Sequence, residues 1–247
     1  MPDKPLSVQL YSVREAVAQD LAGSLQRLAD IGFHAVELYG FVERADEYAA
    51  ALAAAGLTAP SGHAPVLRYD DPRPAFEAAA KVGVQTLIDP NRVAELWQQP
   101  DDVRRGAEQM NQVAEAAQEF GLTFGYHNHW WEIETRHDGV TALELLAQSL
   151  SPRVVLEVDT FWATVGGVSA PELLRTLGDR VQFIHVKDGP IKREPKTQLP
   201  AGQGEMDVPA VLAAAPQAMR VLEFDDYAHD PFDGLAESFR FVTELEA

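Results

Sequence analysis

Short apolar runs of β character alternate along the chain with longer stretches of helical spacing. The predicted strands are Leu6–Tyr11, Phe33–Tyr39, Leu57–His63, Val84–Asp89, Leu122–His127, Val154–Asp159, Val181–Lys187 and Met219–Asp225. Between them lie Ala- and Leu-rich segments with apolar stripes, Leu21, Leu25 and Leu28 in one and Leu143, Leu146 and Leu150 in another. Asp71-Pro72, Ser169-Ala170-Pro171 and Asp230-Pro231 each place a capping side chain before an early proline and predict helix starts. Gly32, Gly56, Gly83 and Gly121 each fall between a helical run and the next strand, where a glycine suits a helix C-cap. Eight strands alternating with helices predict an α/β fold with a parallel sheet closed into a (β/α)8 TIM barrel. An open doubly wound sheet would carry a glycine-rich turn after its first strand, and here that turn is Ser12-Val13-Arg14-Glu15. No linker or low-complexity stretch interrupts residues 1–247, which read as a single domain.

Strand alternation then sorts the polar residues, because every second side chain points into a barrel. On the seventh strand Ile184 and Val186 face the helices, while Phe183, His185 and Lys187 point inward. On the eighth, Glu223 and Asp225 point inward; on the sixth, Glu157 and Asp159; on the fifth, His127 and His129. The same reading turns Gln9, Glu37, His63 and Asp89 inward on the first four strands. Every strand therefore offers an inward polar group near its C-terminal end, which in a TIM barrel is the active-site face. So many converging ionisable groups are costly to bury unless something pairs them.

Composition narrows the partners. The 247 residues carry 20 Lys and Arg against 38 Asp and Glu, a net charge of −18. Such a surface repels phosphate backbones and anionic membranes, so no nucleic-acid or membrane partner is expected. There is no cysteine, which removes disulfides, thiolate ligands and a cysteine nucleophile. No stretch of about 18 apolar residues exists, and the start MPDKPLSVQL shows no signal-peptide pattern, so the expected location is cytoplasmic. The Gly189–Met206 stretch, rich in proline and glycine and holding Lys192, Arg193 and Lys196, reads equally as a binding loop or a plain surface excursion. Gly202-x-Gly204 within it lacks the third glycine of a dinucleotide loop.

A divalent cation is the simplest partner for the inward carboxylates and imidazoles. Asp159, His185 and Glu223 come from three consecutive strands, and a residue from the fifth would complete a ring around one point. Mixed carboxylate and imidazole ligation suits one Mn, Zn, Co or Fe ion better than Ca. The competing reading is a buried histidine in an ion-pair network.

At these residues the chain resembles the sugar phosphate isomerase/epimerase family, the xylose-isomerase-like barrels. The matching pieces are Val8-Gln9-Leu10-Tyr11-Ser12-Val13-Arg14, Val36-Glu37-Leu38-Tyr39-Gly40, Ser61-Gly62-His63, Tyr126-His127-Asn128-His129-Trp130-Trp131-Glu132, Asp159-Thr160-Phe161-Trp162, Ile184-His185-Val186-Lys187-Asp188, Gly202-Gln203-Gly204-Glu205-Met206-Asp207 and Glu223-Phe224-Asp225. They run in order along the chain. The resemblance implies a metal held by a strand-five carboxylate and by Asp159, His185 and Glu223. The fifth strand departs from the pattern, since His127 stands where many relatives have Glu. Either His127 ligates the metal or Glu132 reaches back; the preferred assignment gives His127 to the metal and Glu132 to substrate or proton transfer.

The chemistry implied is isomerisation or epimerisation of a small-molecule carbohydrate. A metal-polarised carbonyl stabilises the enediolate left when a neighbouring carbon-bound proton departs. Glu223 serves as ligand and candidate base. Lys187 stabilises the oxyanion, or else forms a rim ion pair with Asp188 or Glu157. Glu37, His63, His129 and Trp162 are the candidate substrate-binding residues, and Trp162, Trp130 and Trp131 either stack on sugar or pack loops. Alternatives are a dehydratase or lyase of a keto-sugar or inosose on the same site, and a non-catalytic carbohydrate-binding protein. A DNA-cutting relative would need a basic track that this chain lacks. A symmetric homodimer is the default assembly.

Overall fold

The computed structural model describes residues 6–90 and 92–247, and the leader reading of the first five residues lies outside that range. Among the described residues, eight parallel strands form one sheet: β1 (Ser7–Val8), β2 (Ala35–Leu38), β3 (Thr58–His63), β4 (Thr86–Asp89), β5 (Thr123–His127), β6 (Val154–Asp159), β7 (Val181–Val186) and β8 (Met219–Leu222). Their spatial order follows the chain, with β8 pairing back onto β1. The remaining seam, β1 to β2, closes through a single bridge, Gln9 to Glu37. The result is a nearly closed TIM barrel with helices between the strands. A small antiparallel hairpin, Arg136–His137 with Val140–Thr141, is inserted after β5.

Each predicted strand overlaps an observed one, and Val154–Asp159 coincides with it. The eighth stops at Leu222, so Glu223 and Asp225 leave the sheet as its continuation. Ser169 and Asp230 cap their helices by accepting from the Glu172 and Phe232 backbone N–H groups. Asp71 differs: Pro72 occupies the cap position, and Asp71 accepts from the Arg73 N–H one residue further in. Gly32, Gly56 and Gly83 close helices with positive φ, whereas Gly121 lies two residues beyond Glu119, which caps its helix.

The barrel interior has two levels. The lower is apolar, with Ile88, Phe183 and Val221 packed together and Val155 and Met219 beside them. The upper is polar, one inward step further along the same strands: His185 above Phe183, Glu157 above Val155, Glu223 above Val221. A dry plug below and ionisable groups above place the chemistry at the C-terminal ends of the strands. Asp89 corrects the expected alternation. Ile88 takes the inward place on β4, and Asp89 lies behind the wall, where its Oδ2 accepts from the Leu67 N–H at 2.8 Å. A strand buried on both faces shows no clean alternation, so its parity is not readable from sequence.

The Gly189–Met206 stretch is a tethered loop. The buried Asp188 carboxylate accepts from the backbone N–H groups of Gly189 at 2.8 Å, Gly202 at 2.8 Å and Met206 at 3.0 Å. The turn needs glycine twice over. Gly189 has φ +142° and passes so close to the Gln198 backbone that a Cβ would lie 2.9 Å from its Cα, while a Cβ on Gly204 would collide with the Gly189 backbone.

Candidate active site

The inward residues of six strands meet in one ion-paired cluster. His185 is its centre. Nδ1 lies 2.6 Å from Glu223 Oε2, and Nε2 lies 2.8 Å from Glu37 Oε1 and 3.1 Å from Glu157 Oε2. His63 stacks on it, centroids 5.6 Å apart, with Nε2 2.7 Å from Glu157 Oε2 and 3.1 Å from Glu37 Oε1. His127 places Nδ1 2.9 Å from Glu157 Oε2 and Nε2 3.7 Å from Asp159 Oδ2. Gln9 and Ser61 donate to the two oxygens of Glu37 and hold that carboxylate in place.

Lys187 is enclosed among Asp159 Oδ2, Glu223 Oε2 and Asp225 Oδ2 at 2.8, 2.7 and 2.8 Å. These are its partners, rather than Asp188 or Glu157. The indole of Trp162 lies beneath its ammonium, at 5.8 Å. Asp159 also caps the helix Thr160–Val165 through Oδ1, which accepts from the Trp162 N–H at 2.8 Å. That cap turns Oδ2 toward the cluster.

Electrostatics follow from this packing. Burial would lower the His185 and His63 imidazoles, but the carboxylates around them overcome it: His185 rises well above its ordinary value and His63 to about 10. Burial, with the positive charge of His185, drives His127 well below its ordinary value, so it is a neutral imidazole at pH 7. Burial would raise Glu223, yet Lys187 and His185 hold it below the usual carboxylate range. Asp159, where burial prevails over Lys187, is pushed up to about 6. Five carboxylates, Glu37, Glu157, Asp159, Glu223 and Asp225, thus face the Lys187 ammonium and the imidazoles of His63 and His185.

That excess of carboxylates suits a divalent cation, and so does the donor set. Asp159, His185 and Glu223 bring their ligand atoms within 4.8 Å of one another. His127, the expected fourth ligand, belongs with His63, Glu157 and His185 to a second such group, and its Nε2 borders the first at Asp159. His127 and His185 each turn their other ring nitrogen to a buried carboxylate, the arrangement that orients metal-binding imidazoles. One feature opposes a metal: the Lys187 ammonium already sits among three of the oxygens.

The other expected site residues divide. Glu37 and His63 are in the cluster. His129 packs edge-on to His127, centroids 5.2 Å apart, and stacks on Trp131 at 4.4 Å; its Nδ1 and the Trp162 Nε1 are buried without a hydrogen-bond partner. Glu132 stands apart. It is fully buried, with one oxygen accepting from the Tyr126 hydroxyl at 2.7 Å and the other from the His129 N–H at 2.9 Å, and burial raises its carboxyl to about 8. Trp130 is covered by the Arg193 guanidinium at 3.5 Å, and Arg193 pairs with Glu134, so this part of the basic loop is spent on internal contacts. Glu157 and Asp225 had no catalytic, metal or substrate role assigned from sequence, although alternation turns both inward. Gln198 gave no signal at all; it reaches from the loop to donate to Asp225 Oδ2 and accept from the Asp225 N–H.

A family model for the xylose isomerase-like TIM barrel matches residues 25–244. The chain belongs to that family. Its xylose isomerase-like barrel superposes on solved relatives over nearly its whole length. A sugar phosphate isomerase/epimerase from Parabacteroides distasonis is 23% identical with TM-score 0.80, over 98% of this chain and 94% of the other. The IOLI protein with a bound zinc atom is 14% identical, TM-score 0.75, over 98% and 97%. D-psicose 3-epimerase from Clostridium cellulolyticum H10, solved with D-tagatose, is 16% identical, TM-score 0.71, over 98% and 99%. At these identities the likeness is one of fold. No curated protein matches the chain significantly.

Proposed function

We propose that this xylose isomerase-like barrel is a divalent-metal-dependent isomerase or epimerase of a carbohydrate carrying a carbonyl. The observation that carries the reading is the buried cluster, in which the ligand atoms of Asp159, His185 and Glu223 converge beside an ammonium and carboxylates outnumber it. Asp159, His185 and Glu223 would hold the ion, with His127 as the adjoining fourth donor. An ion there supplies Lewis acidity toward the substrate carbonyl.

The chain's own groups account for the rest. Glu223, depressed and ionised at neutral pH, accepts the carbon-bound proton. Lys187 keeps its ammonium in a dry pocket, where a fixed charge stabilises the developing oxyanion more than it would in water. His129 and Trp162 offer unpartnered ring nitrogens to substrate hydroxyls. Glu37 and Glu157 orient His63, His127 and His185. Glu132 bonds to Tyr126 and the His129 backbone, so its part is to position the turn carrying His129. The relatives solved with zinc and with D-tagatose are in keeping with this reading. Dehydration of a keto-sugar would use the same proton abstraction with a positioned leaving hydroxyl.

A second reading is favoured by one observation. Lys187 already bridges Asp159, Glu223 and Asp225, so the cluster can also serve as a metal-free sugar-binding site. Elemental analysis of protein purified without chelator, beside Asp159→Asn, separates the two. About one equivalent of a transition metal, lost in the variant, is expected, together with solvent deuterium uptake by a ketose that Glu223→Gln abolishes. No metal after Mn, Co and Zn loading, and no exchange, would leave the binding reading in its place.

A further inference from the structure

Beside the cluster a cavity of about 390 Å3 opens between the segments that follow β2 and β3. Its size is at the lower end for small-molecule sites, room for one ring. His63 joins the cavity to the cluster: it lines the cavity and, at 9% exposure, is the most accessible of the cluster's buried side chains. The walls carry Tyr39 and Tyr69, which stay 41% and 39% exposed although large aromatic side chains elsewhere are mostly buried. Tyr39 is not loosely held. Its carbonyl accepts from the Tyr48 hydroxyl at 2.7 Å, and its ring meets Tyr11 edge-on at 4.9 Å. Glu43 and Arg68 are the charged groups of the lining.

We infer that this cavity is a second carbohydrate subsite and that the substrate is a glycoside of at least two rings. The inference rests on the cluster being a sugar site. The ring bearing the carbonyl lies against His63, Lys187 and Glu223, and the second ring extends past His63 between Tyr39 and Tyr69. Aromatic faces bind the apolar face of a sugar ring, and charged side chains beside them hydrogen-bond its hydroxyls strongly. A hydrocarbon group would use the tyrosines but desolvate Glu43 and Arg68 without replacing their hydrogen bonds, so a hydroxylated ring fits the lining better.

The test is titration calorimetry with turanose, maltulose, palatinose and lactulose beside fructose, with saturation-transfer NMR on each complex. These disaccharides share a fructose unit and differ in the linkage and identity of the second ring. At least one should bind about tenfold tighter than fructose, with saturation of its second-ring protons. The ratio of its affinity to that of fructose should fall toward one in Tyr39→Ala and Tyr69→Ala, whose folding is checked by thermal denaturation. Fructose binding without a gain from any second ring, or a gain that survives both substitutions, overturns the subsite alone. Absence of binding by every sugar overturns the subsite and the sugar-site reading together. The wild-type affinity ratio stands as a test even if the variants fold poorly.

Discussion

At the scale of single residues, Lys187 is the side chain on which the cluster most depends. Its ammonium holds three carboxylates within 2.8 Å. Lys187→Met leaves them facing one another, and breaking a buried pair in this way costs about 3 to 5 kcal/mol. The variant should melt well below wild type, and Mn or Zn should restore more of its stability than they add to wild type, because the metal then replaces the lost positive charge beside those oxygens. Thermal denaturation with and without metal measures this; equal metal effects on both proteins would contradict it. Glu132 supplies a pH test. Its carboxyl is raised to about 8 by burial and has an ordinary value of 4.5 when unfolded. The native state therefore retains a proton that the unfolded chain releases, and this contribution to stability is full below about 4.5 and is lost as pH rises through about 8. Glu132→Gln should flatten the fall of stability between pH 5 and 8, by an amount on the order of a few kcal/mol across the window. Denaturant titrations at several pH values would read the slope, and an unchanged slope would show that Glu132 is ionised when folded.

At the scale of elements, the Gly189–Met206 loop hangs on one side chain. Asp188 accepts three backbone N–H groups drawn from both ends of the loop. Asp188→Ala removes their acceptor at a cost of roughly 2 to 4 kcal/mol. The loop should then open locally, and limited trypsin digestion should cut at Lys192, Arg193 and Lys196 much faster than in wild type, with the barrel intact by circular dichroism. Cleavage at the wild-type rate would mean that Gln198 and Arg193 suffice to hold it. The strands were legible in advance because each is a short β-rich run bounded by turn residues. The loop's tether was not, because an aspartate after a strand reads equally as a rim charge, and only the return of Gly202 and Met206 to the same carboxylate reveals its use.

At the scale of the whole molecule, 38 acidic residues against 20 basic ones give a strongly negative field. Self-repulsion of that kind is screened by salt, so the melting temperature should rise by about a few degrees between roughly 10 and 150 mM NaCl. A melting point that ignores salt would show that surface ion pairs such as Arg27 with Asp230 already offset the repulsion. The same field predicts no binding to abasic DNA even at low salt, testable by gel shift. Among the described residues no helix is long and apolar enough to cross a membrane.

The amino-acid sequence by itself determined the alternation of strands and helices and, from parity along each strand, that Glu37, His63, His127, Glu157, Asp159, His185, Lys187 and Glu223 face one interior. Those are local properties, set by periodicity within a few residues. Parity failed only at Asp89, where both faces of the strand are apolar and carry no contrast. Which carboxylate meets which cation was decided by barrel closure. It sets Glu37 on β2 against His185 on β7, 148 residues away, and gathers Asp159, Glu223 and Asp225 around Lys187. Sequence spacing holds no record of such pairs. Curvature of the sheet brings opposite strands within hydrogen-bond distance, and Coulomb energies then divide the charges among the partners that curvature has supplied.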